Sequence, residues 1–137
     1  MTNRPFVFDA NAIIDYVEGK PSGHKVNEIF RQAFREGTLV FISVANWGEV
    51  FYTLWLRVGE EKARATLANV LRLPIQLVPV ELHQALKAGE IKALHHLPYV
   101  DCLAAALAEL REAVLVTSDR HFEKLGRRVR INWIDRP

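Results

Sequence analysis

The sequence predicts an α/β fold, a three-layer α/β/α sandwich around a central, mostly parallel sheet. Three observations carry this. Short apolar runs alternate with segments of helical period. The runs are mostly continuous in apolar character, as expected of strands covered by helices on both faces. Acidic residues recur where an apolar run turns into a helix, the edge at which an open parallel sheet gathers its ligands.

The elements follow in order. Residues 6–8, Phe6-Val7-Phe8, form the first expected strand and lead into Asp9-Ala10-Asn11. Over 23–35, Val26, Ile29, Phe30, Ala33 and Phe34 recur at three- and four-residue spacing, the stripe of an amphipathic helix, which Gly37 ends. A second strand is expected over 39–42. Ser43 then caps a helix reaching about Val58, with Trp47, Val50, Phe51, Leu54 and Trp55 on its apolar side and Gly59 as its stop. A further helix over 60–71 follows directly, so two successive helices separate the second strand from the third, at 76–80. Residues 81–95 read as a helix, the Leu97-Pro98 step interrupts it, and a new helix runs over 101–111 with Leu103, Ala106, Leu107 and Leu110 packed. Strands at 114–117 and 131–134 complete the set. Neither repeats nor linkers divide the chain, so 1–137 is expected to be one domain.

Half of the 137 residues are hydrophobic, enough for a core without staples. The single cysteine, Cys102, excludes an internal disulfide, and no Cys/His spacing fits a zinc site. The apolar run before Asp9 is only three residues long, and no run approaches the ~20 residues of a membrane span, so a cytoplasmic protein without a membrane segment is expected. The formal charge of +2 is ordinary. If four acids are held around cations, however, twelve of the sixteen remain against eighteen Lys and Arg, a basic rim suited to a polyanion.

Asp9, Glu49, Asp101 and Asp119 stand at or just inside the strand-to-helix junctions, and a parallel sheet would bring them to one crevice. Hard divalent ions take such oxygen donors, and carboxylates crowded without an ion repel one another. Each acid also has a local alternative. Asp101 can be a helix N-cap, Asp119 can start a short turn, Asp9 can close the strand-turn junction, and Glu49 can be an exposed helical glutamate. Asn11, Thr117 and Ser118 can orient the carboxylates or serve the turns. Asp15, one helical turn past Asn11, is expected to face solvent and is not assigned to the site.

Cys102 is expected to be a small core residue, its thiol raised by the adjacent carboxylate. His95-His96 reads as a solvated helix end. Lys92 and Arg120, near the acidic motifs, are the first candidates for phosphate contact, followed by Arg4, Arg127, Arg128 and Arg130. Trp47, Tyr52 and Trp55 form either core or an apolar partner surface.

Taken together, Phe8-Asp9-Ala10-Asn11-Ala12-Ile13-Ile14-Asp15, the isolated Glu49, Leu97-Pro98-Tyr99-Val100-Asp101-Cys102-Leu103-Ala104-Ala105-Ala106 and Leu115-Val116-Thr117-Ser118-Asp119-Arg120-His121-Phe122 resemble a PIN domain, in particular the small VapC-type toxins. The resemblance spans essentially the whole chain. It implies an endoribonuclease dependent on one or two Mg²⁺ or Mn²⁺ ions held by Asp9, Glu49, Asp101 and Asp119. It further implies RNA as substrate, a cognate antitoxin as partner and a homodimer. In-line attack of water on phosphorus would leave 5′-phosphate and 3′-hydroxyl ends. Two other readings stay open: a catalytically idle RNA-binding or scaffold module of the same fold, and a haloacid-dehalogenase-like phosphatase. The latter class also starts with an aspartate pair after a strand, but here Asn11 replaces the second aspartate.

Overall fold

The computed structural model describes residues 3–136. Its elements run β1 (Phe6–Phe8), α1 (Ala10–Val17), α2 (Gly23–Glu36), β2 (Val40–Ser43), α3 (Val44–Val58), α4 (Glu60–Val70), β3 (Gln76–Val78), α5 (Leu82–His95), α6 (Tyr99–Leu110), β4 (Val114–Thr117), a 3-10 turn (Arg120–Leu125) and β5 (Ile131–Trp133). The five strands form one sheet in the order β3-β2-β1-β4-β5. Every pairing is parallel, with Phe8 in register with Ile42 on one side and Val116 on the other. The expected α/β/α sandwich is therefore present, and its sheet is wholly parallel.

Strand side chains alternate between two cores, because successive Cβ atoms point to opposite faces. Phe8, Val40, Ile42 and Val116 enter a core with α1, α2, α3 and α4, where Ile13, Val26, Phe30, Val50 and Val70 meet them. Val7, Phe41 and Leu115 enter the other core, with Ala88 and Ile91 of α5, the alanine-rich run of α6, and Phe122 and Leu125 of the 3-10 turn. Helix α6 is buried over every residue from Asp101 to Ala108. A helix enclosed on all sides needs small residues to approach its neighbours, and Ala104, Ala105, Ala106 and Ala108 let it lie against the sheet and α5.

Element ends differ from expectation for local reasons. β3 stops at Val78 because Pro79 has no N–H to donate to a ladder. α6 starts at Tyr99, with Pro98 as its N-cap residue, so Asp101 lies in the first turn and is not the cap. β2 starts one residue later than expected and includes Ser43, whose Oγ also accepts from Ala45 N at the start of α3. No helix among the described residues is long and apolar enough to cross a membrane.

Candidate metal centre

The sheet reverses its order of connection at β1. From that strand the chain moves outward to β2 and β3, then returns by way of α5 and α6 to β4 and β5 on the other side. Such a switch point opens a crevice beyond the C-terminal strand ends. Asp9 follows β1 and Asp119 follows β4. Glu49 lies on α3, which leaves β2, and Asp101 enters from the first turn of α6.

Asp9 is 2 % exposed and tied down at both oxygens. Its Oδ1 accepts from Ala12 N at 2.9 Å, capping α1, and its Oδ2 accepts from Thr117 Oγ1 at 2.5 Å. The fully buried Thr117 also accepts from Asp119 N at 2.9 Å, so one hydroxyl links two of the acids. Asp119 Oδ1 accepts from His121 N at 2.9 Å and so opens the 3-10 turn. The local reading of Asp9 and Asp119 as caps is therefore true, and compatible with a shared site, because a carboxylate has lone pairs beyond the one a cap uses.

Asp101 differs. It is buried, it does not cap α6, and its carboxylate accepts no hydrogen bond from any of the described residues. Asn46, one turn before Glu49 on α3, donates to Val100 O at 3.2 Å and so fastens α3 to the start of α6. Gln84 makes the neighbouring link, donating to Ser43 Oγ at 3.2 Å and Leu103 O at 3.0 Å. These amides set the distance between the helix that carries Glu49 and the helix that carries Asp101.

The charges are crowded. Burial pushes the Asp9 carboxyl up to about 8, against the lowering effect of its Thr117 and Ala12 hydrogen bonds, and the Asp101 and Asp119 charges push the same way. Asp101 is pushed up to about 7, by burial first and then by Asp119 and Glu49, with His121 opposing. Glu49 is raised by burial and by Asp119. Burial first, and then the neighbouring carboxylates, thus disfavour the ionised forms of Asp9, Glu49 and Asp101, which a divalent cation would relieve. The donor set also fits an ion: single ligand atoms of Asp101, Asp119 and His121 all lie within 4.8 Å of one another.

The remaining candidates separate. Asn11 is half-buried on α1 beside the crevice and makes no side-chain hydrogen bond among the described residues. Ser118 donates to Asp15 Oδ2 at 2.7 Å and to none of the four acids. Asp15, expected in solvent, is 7 % exposed: the same Oδ2 accepts from Ser22 Oγ at 2.8 Å, and Lys20 Nζ lies 3.6 Å from Oδ1. Lys92 Nζ donates to Leu97 O at 3.0 Å. Arg120 is exposed and bound to Asp135 and Glu123. Arg128 bridges Glu90 and Glu109, and Arg4 donates to Glu112 O. Cys102 is wholly buried, its thiol raised by burial first and less by Asp101. His96 ends α5 in the left-handed conformation. Trp47 packs against the core, whereas Tyr52 and Trp55 stay exposed beside Leu56.

His121, Asn46 and Gln84 were given no role by the sequence, and Asp15 was expected in solvent. Asn46 and His121 did leave a signal, a polar residue one helical turn before Glu49 and an imidazole two residues past Asp119.

A sequence model of the PIN domain matches residues 6–128. No curated protein matches the chain. Among solved structures, VapBC2 from Rickettsia felis bound to a DNA fragment from its promoter superposes with a TM-score of 0.74 at 16% identity, covering 93% of this chain and 96% of that one. DNA-bound VapBC from Salmonella typhimurium gives 0.74 at 19% identity, covering 96% and 99%. VapC20 of Mycobacterium tuberculosis, a sarcin-ricin loop cleaving toxin, gives 0.69 at 18% identity, covering 88% and 95%. At these identities the likeness is one of fold.

Proposed function

Because the chain belongs to the PIN domain family, we propose that it is a metal-dependent endoribonuclease, the toxin of a toxin-antitoxin pair, and that Asp9, Glu49, Asp101 and Asp119 are its catalytic and metal-holding residues. The observation that carries this is the convergence of four acids on one switch-point crevice, three of them with raised pKa values. A fold alone would gain nothing from burying carboxylates beside one another.

Mg²⁺ or Mn²⁺, one or two ions, would supply Lewis-acid charge neutralisation at the scissile phosphate and lower the pKa of the attacking water. The chain's own residues do the rest. Thr117 and the Ala12 N–H hold the Asp9 carboxylate in one orientation. Asp101, which has no internal partner among the described residues, and half-buried Glu49 present their oxygens to the crevice. In-line attack by water, with the P–O3′ bond breaking and the 3′ oxygen leaving to be protonated, would give a 5′-phosphate and a 3′-hydroxyl. The fold likeness to a toxin that cuts the sarcin-ricin loop supports structured RNA as the substrate class. Exposed Lys92 and Arg120 are proposed phosphate contacts at the rim, Arg120 exchanging carboxylate partners for phosphate.

Two protein partners belong to the same proposal, a cognate antitoxin and a second copy of the chain. The antitoxin is supported by fold likeness to proteins solved as VapBC complexes. Tyr52, Trp55 and Leu56, exposed together on α3, offer an apolar face that an antitoxin helix can cover.

The test is cleavage of RNA by purified protein with Mg²⁺ or Mn²⁺, with chelator, and with Asp101→Asn, mapping product ends. The expected result is metal-dependent cutting with 5′-phosphate ends, lost in the variant. Cyclic 2′,3′-phosphate ends would instead mean attack by the ribose hydroxyl. Equal inactivity of both folded proteins across transfer, ribosomal and messenger RNA would favour an idle RNA-binding module.

A further inference from the structure

The four acids leave out one neighbour. His121 is the second residue of the 3-10 turn that Asp119 opens. Its backbone N–H donates to Asp119 Oδ1, and its ring Nδ1 lies 3.2 Å from that same oxygen. Phe122 and Leu125, both buried, anchor the turn from below, so the imidazole stands on fixed backbone. One ligand atom each from Asp101, Asp119 and His121 lie within 4.8 Å of one another. Donors bound to a single ion at about 2.0–2.2 Å stand up to roughly 4.3 Å apart, so little closure separates the three from one coordination sphere.

We propose that His121 is a third ligand of this centre, making it a mixed oxygen-nitrogen site that prefers first-row transition ions, Mn²⁺ through Ni²⁺, to Mg²⁺. The inference rests on the reading that Asp101 and Asp119 hold a divalent ion, and it concerns which ion. Mg²⁺ takes oxygen donors and keeps its waters, so an imidazole adds little to its binding. Transition ions accept imidazole nitrogen, and their affinity for such sites rises from Mn²⁺ through Co²⁺ to Ni²⁺. The contribution of His121 should therefore be near nothing for Mg²⁺ and should grow along that series. Its side chain is 63% exposed, so replacing it removes a donor without opening the core.

The experiment is calorimetric titration of the full, untagged chain with Mg²⁺, Mn²⁺, Co²⁺ and Ni²⁺, which reads binding independently of any cleavage. Wild type, His121→Ala, His121→Asn and Asp101→Asn are compared in a His95→Ala/His96→Ala background, because paired histidines at the end of α5 can bind Ni²⁺ by themselves. His121→Ala should weaken Ni²⁺ by about tenfold or more, Mn²⁺ by less, and Mg²⁺ not at all. His121→Asn, which supplies oxygen in place of nitrogen, should retain Mg²⁺ binding and lose the transition-metal preference. Equal losses for all four ions, or none, would overturn the assignment of His121 while leaving the carboxylate site intact, provided Asp101→Asn still abolishes binding. If Asp101→Asn binds every ion as wild type does, the carboxylate site and the histidine assignment fall together.

Discussion

Asp15 shows how a single residue's role is decided at a distance. Its spacing from Asn11 suggests an outward-facing helical position, yet its two hydroxyl donors, Ser22 and Ser118, come from the next loop and from the far end of β4. No local pattern contains those partners. The carboxylate ties the end of α1 to the residue preceding Asp119, so it braces the backbone of the site without touching it. Asp15→Ala leaves both hydroxyls without their acceptor and should cost about 1–3 kcal/mol, read as a lower urea midpoint with unchanged slope. Ser118→Ala, which removes one donor and leaves Ser22 in place, should cost less, about 0.5–1.5 kcal/mol. An Asp15→Ala midpoint equal to wild type would show that the network adds nothing.

At the scale of elements, the corner between α1 and α2 brings two backbones into close contact. Gly23 opens α2 against the backbone of α1, and a Cβ there would lie 2.9 Å from both Asp15 O and Tyr16 Cα. Those atoms are main chain and cannot rotate aside. Gly23→Ala should therefore destabilise by about 1–3 kcal/mol despite alanine's better helix propensity, seen as a lower thermal midpoint. Gly89, also helical but with open space around it, is the control, and Gly89→Ala should be neutral or stabilising. Helix stops were legible because each has a local cause: Gly37 is left-handed at the end of α2, and Gly59, also at positive φ, ends α3. α6 starts two residues before the position its sequence suggests, since Asp101 resembles a cap by residue type whereas Pro98 holds that place.

For the whole molecule, the site's electrostatics predict a stability profile. Asp9 and Asp101 are raised from 3.8 to about 8 and about 7. A raised carboxyl is favoured by the fold in its neutral form, so its contribution to stability is complete below the unfolded value and is lost as pH rises through the folded one. In chelator, the thermal midpoint should fall between about pH 4 and pH 8. Asp101→Asn, which cannot ionise, should flatten that fall and melt higher than wild type at pH 8. Saturating Mn²⁺ should raise the wild-type midpoint most at pH 8, where protons no longer compete for the oxygens. A chelated protein whose midpoint rises over this interval would mean that burial and the neighbouring charges do not favour the neutral forms of Asp9 and Asp101 as described.

The alternation of apolar runs with helical stripes, the glycine stops, and the acids at strand ends are written in short stretches of sequence, because periodicity and turn chemistry act over a few residues. That sufficed for the α/β class, and Asp9, Glu49, Asp101 and Asp119 could be picked out with no partner in view. The order of the strands, the crevice at β1, the burial of Asp15, and the meeting of His121 with Asp101 and Asp119 came only with the folded chain. These depend on which faces pack together, and hydrogen bonds such as Thr117 to Asp9, 108 residues apart in sequence, have no counterpart in any local window.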